Sequence, residues 1–215
     1  MAALIDPPIF ITTRDRVTQL RVLVEWLERA GHERITFIDN ASTYEPLLEY
    51  LHATPHSVLS LGANRGARVA WEGDLVPVDE AYVVTDPDLI PLEECPMDAV
   101  EHLAELLERH QDLHKAGLGL YLEDVPADLP CLGWERQLVE PAKEREPGVY
   151  TSMIDTTFAL HRAGTGFTFE ALRCGFPYQV RHMPWYVRPE EADPELAYYL
   201  EHALRGDGGT TSWTV

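Results

Sequence analysis

The chain has 215 residues, a formal net charge of −19 at pH 7, 45% hydrophobic residues and 25% charged residues. This length and balance predict a single domain, residues 1–215, and exclude a fibrous repeat or wholesale disorder. The acidic surface repels phosphate backbones, so nucleic acid is disfavoured as a partner. The three cysteines lack metal-ligand spacing, and we expect a cytoplasmic protein with no signal peptide and no membrane span.

The first 91 residues alternate between short apolar runs and segments with helical spacing. The predicted strands are residues 9–12, 35–38, 58–61 and 81–84. Gly31 is expected to end the first helix. Candidate helix caps are Thr13 or Asp15 for the first helix, and Ser42 or Thr43 for the second. This order predicts an α/β fold with a Rossmann-like, mostly parallel sheet flanked by helices.

Two carboxylates, Asp86 and Asp88, follow the fourth predicted strand and flank Pro87. Ligands of open α/β sheets bind beyond the carboxyl ends of the strands, so this position makes the pair a candidate site. Carboxylate oxygens at this spacing suit a magnesium or manganese ion that also holds a phosphate. The alternative is a surface turn that merely ends the strand.

Polar residues also follow the first three predicted strands. They are Arg14 after the first strand, Asp39 after the second, and Asn64 and Arg65 after the third. Because the carboxyl ends of parallel strands meet at one edge, these side chains are candidates for the same crevice as the two aspartates. The alternatives are a solvated loop arginine and an aspartate that only caps a turn.

The second half of the chain is predicted to contain a helix from about residue 96, strands at 116–122 and 153–160, and a C-terminal helix at 190–204. A proline-rich segment, 124–148, is expected to face the acceptor. Asp155 interrupts an apolar run and is either a crevice carboxylate or a strand-edge residue paired with Arg162 or a backbone amide. His182 is either functional or a packed core histidine. His110 and His114 are expected to be surface residues.

The order of these pieces resembles the GT-A glycosyltransferases, and among them the compact family 2-like bacterial enzymes. The matching pieces are FITTRD at 10–15, IDNAS at 38–42, NRG at 64–66 and DPD at 86–88. The resemblance covers residues 9–186. It implies a GT-A (nucleotide-diphospho-sugar transferase) fold, with residues 9–91 as the nucleotide-sugar-binding half, 92–205 as the acceptor-binding half, and 206–215 as a frayed tail.

The resemblance also implies roles for individual residues. Asp39 would contact the base of a UDP- or GDP-sugar, while Asp86 and Asp88 would hold a divalent cation, Mn2+ or Mg2+, with the ribose and diphosphate. His182 would be a third metal ligand, which favours manganese. The other implied nucleotide contacts are Thr12, Arg14, Asn64 and Arg65. A metal of this kind would neutralise the diphosphate leaving group.

The catalytic base is the main departure from the family pattern. Family 2 enzymes carry a Glu-Asp-Asp-like motif that this chain lacks. Asp155 is the nearest analogue by position, and Glu135 is the second candidate. The likeness favours inversion of the anomeric configuration, and the acceptor is not identified. The aromatic C-terminal part can serve acceptor binding or a homodimer contact.

Three other classes of protein are alternatives to a glycosyltransferase. A haloacid-dehalogenase-like phosphatase would use Asp86 as its nucleophile, but its motif ends the first strand of the domain rather than the fourth. A nucleotidyltransferase is disfavoured because no glycine-rich, lysine-bearing phosphate loop lies near Phe10. A non-catalytic nucleotide-sugar-binding module is the remaining alternative.

Overall fold

The computed structural model describes residues 5–128, 133, 135–136 and 142–203. These residues form an α/β fold with a nine-stranded sheet, a smaller three-stranded sheet, and helices packed against them. Within the described residues, no helix is long and apolar enough to cross a membrane. The predicted frayed tail, 206–215, lies outside the described residues.

The elements follow one another in the alternating order that the sequence predicts for the first half. The strands are β1 Ile9–Thr13, β2 Ile35–Asp39, β3 Ser57–Ser60, β4 Tyr82–Thr85, β5 Leu89–Pro91, β6 Lys115–Gly117, β7 Gly119–Leu120, β8 Lys143–Glu146, β9 Val149–Met153, β10 Ala159–His161, β11 Glu170–Cys174 and β12 Gln179–His182. The helices are α1 Thr18–Arg29, α2 Glu45–Ala53, α3 Val69–Glu72, α4 Ala99–Arg109 and α5 Pro194–Ala203, with short 3-10 helices at Met183–Tyr186 and Pro189–Glu191.

The large sheet has the strand order β3-β2-β1-β4-β10-β6-β11-β9-β8. Its first four strands are parallel, which confirms the predicted α/β sheet. The antiparallel strand β10 lies between β4 and β6, and among the remaining described strands of this sheet only the β6–β11 pair is parallel. Thr13 pairs with Asp39, and Asp39 with Ser60, so the first three strands end at one edge.

Successive residues of a strand point to opposite faces, and nearly all residues of β1, β2 and β4 are buried, whereas β3, at the edge of the sheet, is mostly exposed. Ile9 and Ile11 of β1 pack in the main core with leucines of α1 and α4, whereas Phe10 packs in a second cluster with Val69 and Trp71 of α3. This burial explains why the strands read as continuous apolar runs rather than as alternating patterns.

The predicted strand 116–122 is wrong in its extent, because the chain changes sheet at Leu118. β6 belongs to the large sheet, and β7 pairs with β12 in the small one. The two glycines of this run, Gly117 and Gly119, admit another backbone. A Cβ on Gly117 would lie 2.5 Å from the Phe158 carbonyl oxygen, and one on Gly119 would clash with the Cys174 carbonyl oxygen.

The helix caps differ from the prediction, although the end of α1 is confirmed. Gly31 adopts a φ of 93°, and its N–H donates to the Glu28 carbonyl as the helix ends. Neither α1 nor α2 has a side-chain hydrogen bond at its N-cap. Asp15 instead accepts hydrogen bonds from the Thr43 and Tyr44 amides, at 2.6 and 2.9 Å, and thereby joins the loops after β1 and β2.

The predicted strand 153–160 is also wrong, because its middle is a loop between β9 and β10. A charged residue followed by two threonines has no partner strand there, and the apolar residues on either side belong to different strands. Asp155 therefore lies on a loop that reaches the end of β4, where Thr156 bonds to Asp86. Residues 153–157, which are the last residue of β9 and the loop residues after it, are called the Asp155 loop below.

Candidate functional site

A cluster of two carboxylates and one imidazole lies beyond the carboxyl end of β4. Asp86 and Asp88 occupy the connection from β4 to β5, and His182 ends β12. Antiparallel pairing of β12 with β5 sets His182 opposite Leu89, the residue after Asp88. One ligand atom from each of Asp86, Asp88 and His182 lies within 4.8 Å of the others. Two oxygen ligands and one imidazole at this spacing fit a divalent metal.

Two polar atoms of the cluster that lack hydrogen-bond partners also favour a metal site. Oδ1 of Asp88 and Nδ1 of His182 are buried and have no hydrogen-bond partner within the described part of the chain. Nε2 of His182 lies 3.5 Å from Oδ1 of Asp88, which is a charge contact rather than a hydrogen bond. Buried polar atoms without partners are costly, so a bound cation near Asp88 would satisfy a group that the fold leaves unsatisfied.

The electrostatics of the cluster show an excess of negative charge. Burial, and then the charges of Asp88 and Asp155, raise the pKa of Asp86 to about 7. Burial alone would raise the pKa of Asp88, but the positive charge and contact of His182 outweigh it, so that pKa is lowered. Burial opposes charging of His182, yet its pKa is raised because Asp88 faces it. A divalent cation would compensate this excess without requiring a proton on Asp86.

Arg16 is a site residue that the sequence analysis missed. Its side chain is 5% exposed, and Nη1 lies 3.8 Å from Oδ2 of Asp88. Helical spacing places Arg16 on the outer face of the first helix, but α1 begins only at Thr18. The residue therefore belongs to the loop after β1, at the edge where ligands bind. Its position two residues after Arg14, beyond a strand end, is the signal that could have found it.

The last helix packs against this loop. Glu195 of α5 accepts hydrogen bonds from the backbone N–H and hydroxyl of Thr18, at 3.1 and 3.0 Å, and lies 3.6 Å from Nε of Arg16. The guanidinium of Arg16 also lies 5.4 Å from the ring centre of Tyr199. A cavity of about 120 Å³ opens between these elements. Its lining includes Arg16, Gln19, Met183, Pro184, Glu195 and Leu196.

The Asp155 loop brings a further carboxylate to the cluster. Oγ1 of Thr156 donates a 2.9 Å hydrogen bond to Oδ2 of Asp86. Asp155 is exposed, and its charge contributes to the raised pKa of Asp86. Its Oδ1 accepts a 3.3 Å hydrogen bond from the Thr157 amide. Arg162, the alternative partner, donates instead to the carbonyls of Leu107 and Leu113. Asp155 thus combines exposure with proximity to the aspartate pair.

Glu135, the second candidate for the base, has a different environment. Its side chain is buried in an ion pair with Arg173 of β11. The ion pair occupies this carboxylate, and the residue is only 3% exposed. The geometry therefore favours Asp155 over Glu135 for contact with an acceptor.

The predicted nucleotide contacts at the ends of β1 and β2 share one edge of the sheet. The hydroxyl of Thr12 and Nε of Arg14 are buried without hydrogen-bond partners among the described residues. Nε of Arg14 lies 3.7 Å from Asp15. Oδ1 of Asp39 accepts a 2.9 Å hydrogen bond from the Ser42 amide, so Asp39 at least stabilises the turn after β2.

The segment after β3 is held to β2 by Asn40, which the sequence analysis did not single out. Its side-chain amide donates to Oδ1 of Asn64 at 2.9 Å, and its carbonyl oxygen accepts from the Arg65 amide at 2.8 Å. Asn64 also accepts from the Gly66 amide. These bonds occupy Asn64 and leave the Arg65 side chain exposed at the edge.

Comparison with known proteins adds little to this geometry. No protein-family model and no curated protein matches the chain. Among solved structures, the chain is similar to a UDP-glucose pyrophosphorylase complexed with UDP-glucose, at 12% identity and a TM-score of 0.46, over 79% of this chain and 74% of that one. It is also similar to a 4-diphosphocytidyl-2C-methyl-D-erythritol synthase, at 15% identity and a TM-score of 0.38, over 94% of this chain and all of that one. Likenesses this distant assign no activity.

Proposed function

We propose that this protein is a metal-dependent glycosyltransferase that moves a sugar from a nucleotide-diphosphate sugar to an acceptor hydroxyl. The single observation that carries the proposal is the cluster of half-buried Asp86 and Asp88 with buried His182 at the carboxyl ends of the parallel strands, where one oxygen of Asp88 lacks a hydrogen-bond partner among the described residues. In an open α/β sheet this edge is where a nucleotide binds.

The three cluster residues would hold Mn2+ or Mg2+, and the ion would neutralise the charge that develops on the departing diphosphate. Arg14 follows β1, its Nε has no hydrogen-bond partner among the described residues, and it is our candidate for contact with the diphosphate. Thr12 and Asp39 are our candidates for contacts to the nucleoside, with Asn64 and Arg65 at the far side of the edge. The donor is a UDP- or GDP-sugar.

Asp155 is our candidate for the general base. Its exposed carboxylate would accept the proton of the acceptor hydroxyl while that oxygen attacks the anomeric carbon, with inversion of configuration. Its charge acts on Asp86, and the next residue, Thr156, bonds to Asp86, which supports this choice. Glu135 is reserved for the ion pair with Arg173.

The alternatives are less consistent with the geometry. In a haloacid-dehalogenase-like phosphatase the nucleophilic aspartate ends the first strand of the domain, whereas Asp86 follows β4 and accepts a hydrogen bond from Thr156. A non-catalytic nucleotide-sugar-binding module would need no exposed carboxylate beside the cluster, yet Asp155 is there.

The test is thermal stabilisation of the wild-type protein by a panel of nucleoside diphosphates and nucleotide sugars, with and without Mn2+. A ligand that binds only the native state stabilises it by about 2.7 kcal/mol at a concentration 100 times its Kd. We expect a rise in melting temperature for one nucleotide that requires the metal. The absence of a metal-dependent rise for every nucleotide in the panel would overturn the proposal.

A further inference from the structure

A buried lysine lies beneath the Asp155 loop. Lys115 of β6 has no exposed surface, and its Nζ donates hydrogen bonds to the carbonyl of Ile154 at 2.6 Å, the carbonyl of Asp155 at 3.4 Å and the carbonyl of Thr168. The ammonium therefore joins the loop to the segment that enters β11.

A second buried cation binds the same loop. Nη1 of Arg173 donates to the Met153 carbonyl at 3.4 Å, and the guanidinium also pairs with Glu135. Arg173 lies in register with Gly117 on the neighbouring parallel strand β6, so Arg173 and Lys115 point to the same face of the sheet. Three consecutive carbonyls, those of residues 153–155, thus accept hydrogen bonds from two buried cations.

β6, the strand beneath the Asp155 loop, has a glycine where the loop contacts it. Gly117 lies between the two cations, and a Cβ there would lie 2.7 Å from Cδ1 of Ile154 and 2.5 Å from the Phe158 carbonyl oxygen. Ile154 packs with Ala159 and Ala171 in a small apolar cluster on this face. The missing side chain at Gly117 therefore allows the loop to lie directly on the sheet.

Core packing does not explain why a lysine occupies position 115. An apolar residue would suit this strand better, and burial lowers the pKa of Lys115 to about 8, with the charge of Asp155 opposing that effect. A buried ammonium is retained where its hydrogen bonds order a segment that would otherwise be free. The segment ordered here carries Thr156, which bonds to Asp86, and Asp155, the proposed base.

We infer that Lys115 is a positioning residue for the transfer reaction, which holds the carbonyls of the Asp155 loop so that Asp155 stays fixed beside the metal-ligand cluster. This inference rests on the proposed function. The three hydrogen bonds that Nζ of Lys115 makes within the described residues all go to backbone carbonyls. Lys115 acts through the backbone that carries Asp155. Arg173 holds the carbonyl of Met153 in the same way.

The first experiment measures whether Lys115 holds the loop, independently of any activity. Hydrogen exchange is compared between the wild type and Lys115→Met, which keeps the length of the side chain and removes its donors. The Ile154 amide donates to the Phe169 carbonyl at 2.8 Å and reports on the loop. We expect faster exchange over residues 153–157 in Lys115→Met, and no change there in Arg29→Met, which removes an exposed cation from α1. Unchanged exchange in Lys115→Met overturns the inference.

The second experiment measures hydrolysis of the nucleotide sugar that stabilises the wild type, with water as the acceptor and Mn2+ present. For Lys115→Met we expect kcat to fall at least about tenfold while KM changes by less than about threefold, because a misplaced base affects the chemical step rather than donor binding. Lys115→Arg, which keeps donors at this position, is expected to recover part of kcat. A loosened loop with unchanged kcat would overturn the inference.

A further variant tests the positioning of the loop if the Lys115→Met protein does not fold. Thr156→Val removes only the hydroxyl that bonds to Asp86 and leaves every buried cation in place. We expect the same fall in kcat at unchanged KM, and an unchanged kcat would contradict the positioning of the loop on Asp86. If the wild type shows no metal-dependent nucleotide binding, the proposed function fails, and the exchange measurement alone then decides whether Lys115 orders the loop.

Discussion

The guanidinium of Arg16 lies 3.8 Å from the carboxylate of Asp88 and 3.6 Å from that of Glu195, so one buried cation contacts both α5 and the cluster of Asp86, Asp88 and His182. In the protein without metal, Arg16 partly neutralises the charge on Asp88. A metal bound by Asp88 would bring a second positive charge close to Arg16. A diphosphate would compensate both charges, which couples metal binding to nucleotide binding.

Replacing Arg16 should therefore have opposite effects on the two ligands. In Arg16→Gln, we expect the affinity for Mn2+ alone to rise by about tenfold, because a nearby positive charge is removed. The affinity for the nucleoside diphosphate in the presence of Mn2+ should fall. Titration calorimetry measures both affinities. Arg21→Gln, an exposed arginine on α1, is the matched control. A parallel loss of both affinities would contradict this role of Arg16.

Asp88 is expected to be essential for metal-dependent binding. Asp88→Asn keeps the shape of the side chain but removes the charge of a proposed metal ligand, and Asp88→Ala removes the ligand altogether. Either change should abolish the Mn2+-dependent rise in melting temperature with the nucleoside diphosphate. Asp79→Asn changes an exposed aspartate and should retain the wild-type rise. Wild-type metal affinity in Asp88→Ala would show that the cluster is not the metal site.

Replacing Asp155 should affect the rate of sugar transfer far more than the binding of metal and nucleotide. In Asp155→Asn we expect Mn2+ and nucleotide binding to be retained, with a smaller loss of Mn2+ affinity than in Asp88→Asn, because the carboxylate lies beside the cluster rather than in it. The rate of sugar transfer should fall by about 10²- to 10⁴-fold, the usual contribution of a general base. Steady-state kinetics with the donor found in the binding screen measures the rate. A variant with full activity would exclude Asp155 as the base and return Glu135 to consideration.

Asp15 should contribute to stability through the loop before α2. Asp15→Ala removes the acceptor for the Thr43 and Tyr44 amides at a residue whose φ is 52°. We expect a loss of about 2 to 4 kcal/mol in the free energy of unfolding, measured by urea denaturation. Asp74, at a φ of 51°, is exposed and serves as the control for backbone strain, so Asp74→Ala should lose less. Equal losses in the two variants would assign the whole effect to the backbone.

His161 should make the protein sensitive to acid. Burial and then the charge of Lys115 lower its pKa to about 3, and its ring stacks on Tyr82 with centroids 5.0 Å apart. In the unfolded chain the imidazole binds a proton below about pH 6.5, while the folded protein resists protonation until about pH 3. Its contribution to stability is therefore present above pH 6.5 and is lost as the pH falls, by about 1.4 kcal/mol per pH unit.

His161→Phe preserves a ring on Tyr82 and removes this titration. We expect the free energy of unfolding to fall less steeply between pH 6.5 and pH 4 in the variant than in the wild type. Urea denaturation at several pH values gives the two slopes. The comparison concerns the slopes only, because the substitution also changes packing. Parallel slopes would show that His161 is protonated as readily in the folded protein as in the unfolded chain.

Much of the first half of the fold was predictable because its signals are local. An apolar run that ends in a turn signal identifies a strand, and Gly31 identifies the end of a helix wherever the rest of the chain goes. The predicted boundaries of strands were wrong where tertiary contacts override the local pattern. The run 116–122 divides between two sheets, and Asp155 lies on a loop within a predicted strand because its neighbours join different strands.

The sequence by itself determined the class of the fold, the order of the first four strands along the chain, and the position of Asp86 and Asp88 beyond the fourth. These features depend on periodicity and on turn residues, which act over a few positions. Only the tertiary structure decided which distant side chains meet the two aspartates. His182 reaches Asp88 through the pairing of β12 with β5, and Thr156 reaches Asp86 from 70 residues away. Such contacts depend on strand pairing between remote segments, which no local pattern of residues encodes.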